Sequence, residues 1–194
     1  SMCLASRADV QRSTLRILER LSGLRDENTG KHTERMARYA RAIAAALGCS
    51  TAQCQLMRDA APLHDLGKIG IPDAVLGKAG SLSSEEWDVM RRHTTIGYEL
   101  LRDQASPVLQ LGAEIALSHH ERWDGTGYPL GLRGADIPLS GRIVALADVF
   151  DALTTVRPYK PAWLVEQAVE QICEDSGTHF DPEVVSALDR KSVV

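Results

Sequence analysis

Apolar positions recur at helical spacing along nearly the whole chain. Between Ala8 and Leu24, Leu15, Leu18 and Leu21 form a stripe with Ile17 and Leu24 beside it. Arg12, Arg16, Glu19 and Arg20 occupy the opposite face. This pattern predicts an amphipathic helix. It packs on the domain, leads in from an upstream module, or dimerises. A polar run at 25–30 breaks it. A second helix is expected from Lys31 to Leu47, ended by Gly48, with His32, Met36, Tyr39 and Ile43 on the buried side. Ser50 opens another, running to about His64. Ser83 and Glu86 form a capping box for a third, in which Met90, His93, Gly97 and Leu100 share a face. Ser106 and Pro107 start a fourth, where His119 follows Gly112 and Ile115. Further helices are expected from about Arg142 to Thr155 and from near Pro161 and Pro182.

One stretch departs from this period. From Trp123 to Gly141 the chain carries Gly125, Gly127, Pro129, Gly131, Gly134 and Pro138. A loop of this length inside a compact domain is usually functional or disordered. The expected architecture is all-α: a bundle of about seven helices with this Gly/Pro-rich loop beside the site.

Composition agrees with a globular protein. The chain has 194 residues, 44% hydrophobic and 25% charged, with only 5% aromatic. That length suits one domain with an extra segment, divided here as 1–24 and 25–194. No apolar run approaches the roughly 18 residues needed to span a bilayer. The net charge of −4 argues against a DNA- or RNA-coating protein. Cys3, Cys49, Cys54 and Cys173 show no paired spacing, so free thiols in a reducing compartment are expected. No signal peptide is visible, and the expected location is cytoplasmic. Ser1 stands ahead of Met2, and neither end is taken as native.

The histidines carry the chemistry. Five of the six are His32, His64, His93, His119 and His120. The first four sit at the ends of different expected helices, on or next to the apolar face. Bundle helices that each aim one side chain inward build an internal metal site. Asp65 adjoins His64, and Asp148 sits between Val144 and Ala152 on a later helix. Taken singly, an apolar-face histidine is more often a satisfied core residue, and Asp148 a buried acceptor. Their clustering changes the reading, because buried charges are costly unless paired or metal-bound. Imidazole and carboxylate together suit iron, manganese, zinc or nickel rather than calcium or magnesium. Five histidines and two aspartates exceed the needs of one ion. A carboxylate between two histidine clusters is a natural bridge for two ions about 3.5–4 Å apart, which would clamp and activate water for attack on phosphorus. His179 lacks such a setting and reads as a structural loop residue.

The motifs resemble the HD-GYP family of bacterial cyclic di-GMP phosphodiesterases, within the wider HD metal-dependent phosphohydrolases. The carriers are His64-Asp65-Leu66-Gly67-Lys68, the run from His119-His120-Glu121 to Gly127-Tyr128-Pro129, Ala147-Asp148-Val149-Phe150-Asp151-Ala152-Leu153, and Arg157-Pro158-Tyr159-Lys160. The resemblance spans about Arg25 to Leu188. It implies that His32, His64, Asp65 and Asp148 hold one ion, and that Asp65 bridges to a second held by His93, His119 and His120. It further implies that Lys68 contacts the scissile phosphate, that Arg157 and Lys160 grip substrate phosphates, and that Gly127, Tyr128 and Pro129 shape the pocket. The implied reaction is hydrolysis of cyclic di-GMP to linear pGpG and onward to GMP.

One position departs from the pattern. Members of the family with three metals carry Glu four residues before the first ligand histidine, where this chain has Asn28. Glu27 is one residue off. An amide is a poorer ligand for a hard cation than a carboxylate, so two ions are expected, iron or manganese first and zinc or nickel next. Two other readings stand beside the main one. One is a phosphohydrolase of another cyclic dinucleotide or nucleotide. The other is a non-catalytic cyclic di-GMP sensor, whose usual mark would be eroded ligands. An upstream receiver or sensory domain, and a homodimer through the N-terminal helix, are the remaining expected partners.

Overall fold

A computed structural model describes Ile17 and residues 30–156 and 161–189. The segment that includes the N-terminal amphipathic helix, Glu27 and Asn28 otherwise lies outside the described residues. So do Arg157 and Lys160. Across 30–156 and 161–189 the chain is helical, with eight α-helices and no strand. In order these are α1 (Gly30–Ala46), α2 (Thr51–Ala60), α3 (Ser84–Arg91), α4 (His93–Leu101), α5 (Pro107–Ser118), α6 (Leu139–Thr154), α7 (Val165–Glu174) and α8 (Pro182–Asp189). Three 3₁₀ turns (Ala61–Leu63, Leu66–Gly70, Gly134–Asp136) and the single turn Asp73–Leu76 link them.

The core lies between α1, α2, α5, α6, α7 and α8. Met36, Ile43, Ile115, Ile143, Leu146, Phe150, Ile172 and Val184 are almost fully buried in it. A smaller cluster, Leu63, Leu66, Leu101 and Ala113, joins the 3₁₀ segments to α4 and α5. Helix α1 packs on α2 and α6, α5 packs on α4 and α6, and α4 rests on the Leu66–Gly70 turn. All the site-bearing elements therefore meet along one seam.

The expected capping box forms: Ser83 and Glu86 exchange side-chain and backbone bonds at the start of α3. Ser50, expected to open α2, does so through the same exchange with Gln53. Four boundaries differ from the sequence expectation, each for a local reason. α2 stops at Ala60 rather than near His64, because Pro62 lacks the N–H that would continue the ladder, and the chain tightens into 3₁₀. The expected single helix through Met90 and Leu100 is two helices broken at Arg92. There the carbonyls of Met90, Arg91 and Arg92 engage the side chains of His93, Thr94 and Thr95. Within the second of these helices the buried face runs His93, Gly97, Leu101 at spacing four, so Leu101 (2%) is buried and Leu100 (50%) is exposed. Helix α6 begins at Leu139, just after Pro138, rather than at Arg142. Helix α7 begins at Val165, where the Gln167 side chain accepts from the Leu164 N–H, rather than at Pro161. No disulfide joins Cys49 to Cys54. None of the helices among the described residues is long and apolar enough to cross a membrane.

Candidate metal centre

The site is assembled from turns and helix ends. His32 stands in the first turn of α1. His64 and Asp65 occupy the two residues between the first pair of 3₁₀ turns, and Lys68 follows on the second. His93 opens α4, His119 caps α5 with His120 next to it, and Asp148 lies within α6. Gly67 lets these parts approach. A Cβ there would run into the His93 carbonyl and the Gly97 backbone, so only glycine brings the Asp65–Lys68 turn against the start of α4.

The seven candidate donors fall into two groups. Asp65, His93, His119 and His120 offer ligand atoms that all lie within 4.8 Å of one another, and His32, His64 and Asp148 form a second such group. Asp65 faces both. Its Oδ2 is 3.2 Å from His64 Nε2, while its Oδ1 is 3.4 Å from His93 Nε2 and 3.8 Å from His119 Nε2. On the other side, His32 Nε2 is 3.5 Å from Asp148 Oδ1. Lys68 Nζ sits 2.7 Å from Asp65 Oδ2.

The imidazoles are aimed by their other nitrogen. His64 Nδ1 pairs with the Ala61 carbonyl at 3.0 Å, His93 Nδ1 with that of Met90 at 2.8 Å, and His119 Nδ1 with those of Ile115 and Ala116 at 3.1 Å. A carbonyl only accepts, so Nδ1 carries the hydrogen and Nε2 presents its lone pair to the centre. His32 reaches the same result through Asp151, whose Oδ2 is 2.6 Å from its Nδ1. All four Nε2 atoms are buried without a hydrogen-bond partner. Buried polar atoms are nearly always satisfied, and four orphans converging on two carboxylates fit divalent cations, whose usual ligands hold their second nitrogen in this way. The protein thus has a His/Asp cluster able to bind metal.

Protonation follows the same division. Burial lowers His119 well below the ordinary histidine range, helped by the charges of His120 and His64. It also lowers His93, and together with His93 it takes His120 down to about 3. These three are neutral and ready to donate. Burial also works against a charged His64, yet the Asp65 carboxylate, with help from Asp148, outweighs it and raises His64 to about 9. A proton there occupies the place of a cation. Asp65 is held well below the carboxylate range by His64 and Lys68, despite the burial that opposes its charge.

The loop closes over the group that contains His93, His119 and His120. Tyr128 lies flat on His120, with ring centroids 4.7 Å apart and 23° between planes, and the Tyr128–Pro129 peptide is cis. Gly127 is required because a Cβ would strike the backbone of His120, Glu121 and Arg122. His179 plays the structural part expected of it: its carbonyl accepts from Trp123 N–H at 3.1 Å and its ring stacks on Phe180.

Two functional residues escaped sequence reasoning. Asp151 orients His32 and is itself gripped by Arg35, with Nε at 2.6 Å and Nη2 at 2.9 Å. Its sign was available, since Asp148 and Asp151 are three apart on one helix and share a face. Glu121 is 2% exposed and accepts from Leu130 N–H at 2.7 Å and Leu132 N–H at 3.0 Å, latching the loop. No local pattern marks it, because its neighbours His119, His120, Arg122 and Asp124 are themselves polar.

A helical bundle that turns histidine and aspartate side chains onto one buried seam is the arrangement of the HD domain proteins. The HD domain family profile matches residues 16–184, and the chain belongs to that family. Among its relatives, a cyclic di-GMP phosphodiesterase of Thermotoga maritima is 53% identical over 174 residues, covering 90% of this chain and 47% of that protein. A cyclic di-GMP phosphodiesterase response regulator of Xanthomonas campestris is 50% identical, covering 95% of this chain and 50% of that one. In fold, the chain matches a crystal structure of a cyclic GMP-AMP-specific phosphodiesterase of Vibrio cholerae. The TM-score is 0.67 at 22% identity, over 91% of this chain and 48% of that one. The chain thus spans about half the length of the curated relatives it matches.

Proposed function

We propose that this chain is a metal-dependent phosphodiesterase that opens cyclic di-GMP to linear pGpG, with GMP as a further product. The observation that carries the reading is the shared carboxylate: Asp65 presents one oxygen to each of two donor groups. His32, His64, Asp65 and Asp148 would hold one divalent ion and Asp65, His93, His119 and His120 the other, with iron or manganese preferred. When bound, such a pair would supply a water of lowered pKa as the nucleophile toward phosphorus and would offset the developing charge. The names of the relatives above support the substrate class.

The chain's own side chains do the rest. Lys68 stands beside the shared carboxylate, where its ammonium meets a phosphoryl oxygen seated between the two groups. Arg157 and Lys160 take the remaining phosphate charge. Tyr128 walls the pocket and keeps water away from the His120 side. An upstream receiver or sensory module preceding a lead-in segment at 1–24, a homodimer through that segment, and a cytoplasmic location complete the proposal.

Metal analysis of anaerobically prepared protein, run beside turnover of cyclic di-GMP, tests it. About two ions per chain and production of pGpG are expected. Loaded protein that binds cyclic di-GMP without product would make it a sensor. A chromatographic panel of other cyclic dinucleotides and nucleotides, with faster turnover of one of them, would move the substrate. A third ion ligated by Asn28 or Glu27 would overturn the two-metal assignment.

A further inference from the structure

Arg91 ends α3 two residues before His93, and its side chain has no part in either donor group. Its guanidinium carbon stands 5.4 Å from the centre of the Tyr128 ring, while Tyr128 lies flat on His120. The order is donor imidazole, loop aromatic, cation, and it keeps the guanidinium within about 10 Å of the His120 ring. The charge of Arg91 is felt at the Tyr128 hydroxyl together with those of Asp65 and Lys68. Arg91 therefore borders the same site. Its ion partner is Asp88, one turn back at 3.8 Å, with the two side chains 52% and 77% exposed. An exposed pair of this kind restrains a guanidinium weakly.

Resting on a π face uses none of the five N–H donors. The stack also holds the planar fork in place, which favours a planar two-point acceptor over a point charge. Guanine presents N7 and O6 side by side as two acceptors. Adenine presents N7 beside an amino donor, so the fork matches only half of it. We propose that Arg91 is a specificity-determining residue. It reads the N7/O6 edge of the guanine whose nucleotide lies on the His93 side of the site, with Tyr128 as the platform that aims it. This rests on the cyclic dinucleotide reading above and adds the choice of base.

The test compares kcat/KM and Kd for cyclic di-GMP and cyclic di-AMP, in metal-loaded wild type, Arg91→Ala and Arg91→Met. The Met variant keeps an apolar stem over Tyr128 while removing every donor. Both variants are expected to lose roughly tenfold or more toward cyclic di-GMP, mainly in KM and Kd, and to change little toward cyclic di-AMP. An equal fall for both dinucleotides would put Arg91 on a phosphate and overturn the base assignment. Unchanged discrimination would overturn it as well. Wild-type protein that neither cleaves nor binds a cyclic dinucleotide would remove the function itself, a result separable from the other two.

Discussion

The two halves of the centre are built from different materials. In the half that contains His93 and His119, those two imidazoles are aimed by main-chain carbonyls at helix ends, while His120 stacks on Tyr128. In the other half, His64 is aimed the same way, but His32 depends on a side-chain relay of Asp151 and Arg35. Carbonyl-held ligands are fixed wherever the backbone is fixed. A carboxylate-held ligand is fixed only while its partner is present, and it gains basicity from that partner. The first half is therefore a property of the fold, and the second is in part a property of single residues.

The comparison can be broken most severely at the residue the halves share. Asp65→Ala should reduce turnover of cyclic di-GMP by roughly 10³-fold or more, on the scale of losing a central electrostatic stabiliser, and lower the metal content of both halves. Steady-state rates with elemental analysis check this. Full activity in the loaded variant would defeat the bridging role.

Asp151→Asn sharpens the contrast. It should weaken metal binding by about 10–100-fold, and only in the His32 half. Titration would then show one retained and one weakened site. Uniform weakening of both would mean the halves are not separately supported.

The pH dependence divides the protein with and without metal. His64 is raised from 6.5 to about 9 in the folded chain. Its protonated form thus contributes stability that is fully present below about 6.5 and lost as pH rises through about 9. Without metal, Tm should fall across that window. With metal the sign reverses, because the ion competes with that proton and its affinity rises with pH, by up to about tenfold per unit. Thermal melts with chelator and with added manganese measure both limbs.

The smallest effect is expected at the lid. Tyr128→Ala removes the ring from His120 without touching a donor. KM should rise several-fold, on the order of one lost aromatic contact, with metal content unchanged. Loss of metal would show that the ring supports the ligand and not only the pocket.

Much of this was legible from residue spacing. His32 could be placed at a helix start because the polar run ending in Gly30 precedes it, whereas His93 fell inside one expected helix and opens a helix only because the chain breaks at Arg92. The gathering itself is tertiary, and no local pattern fixes which side of Asp65 meets which cluster. The misplaced Leu100 has a specific cause. From Gly97 a helical stripe continues at spacing three or four, and the expectation took Leu100 where the buried face takes Leu101. Asp151 shares a face with Asp148, which the sequence shows, but what it holds there is tertiary: His32, 119 residues away, lies against it. The lead-in segment apart from Ile17, together with Asn28, Arg157 and Lys160, lies outside the described residues.

Glu121 ties the lid to the floor. It directly follows two of the donor imidazoles, and its carboxylate holds Leu130 and Leu132. The lid is thus stitched to the turn that supplies His119 and His120, and an insertion between 122 and 129 would unpick that stitch. Variants of this scaffold that take new ligands would then arise by exchanging side chains around a hoop of constant circumference, and not by lengthening the hoop.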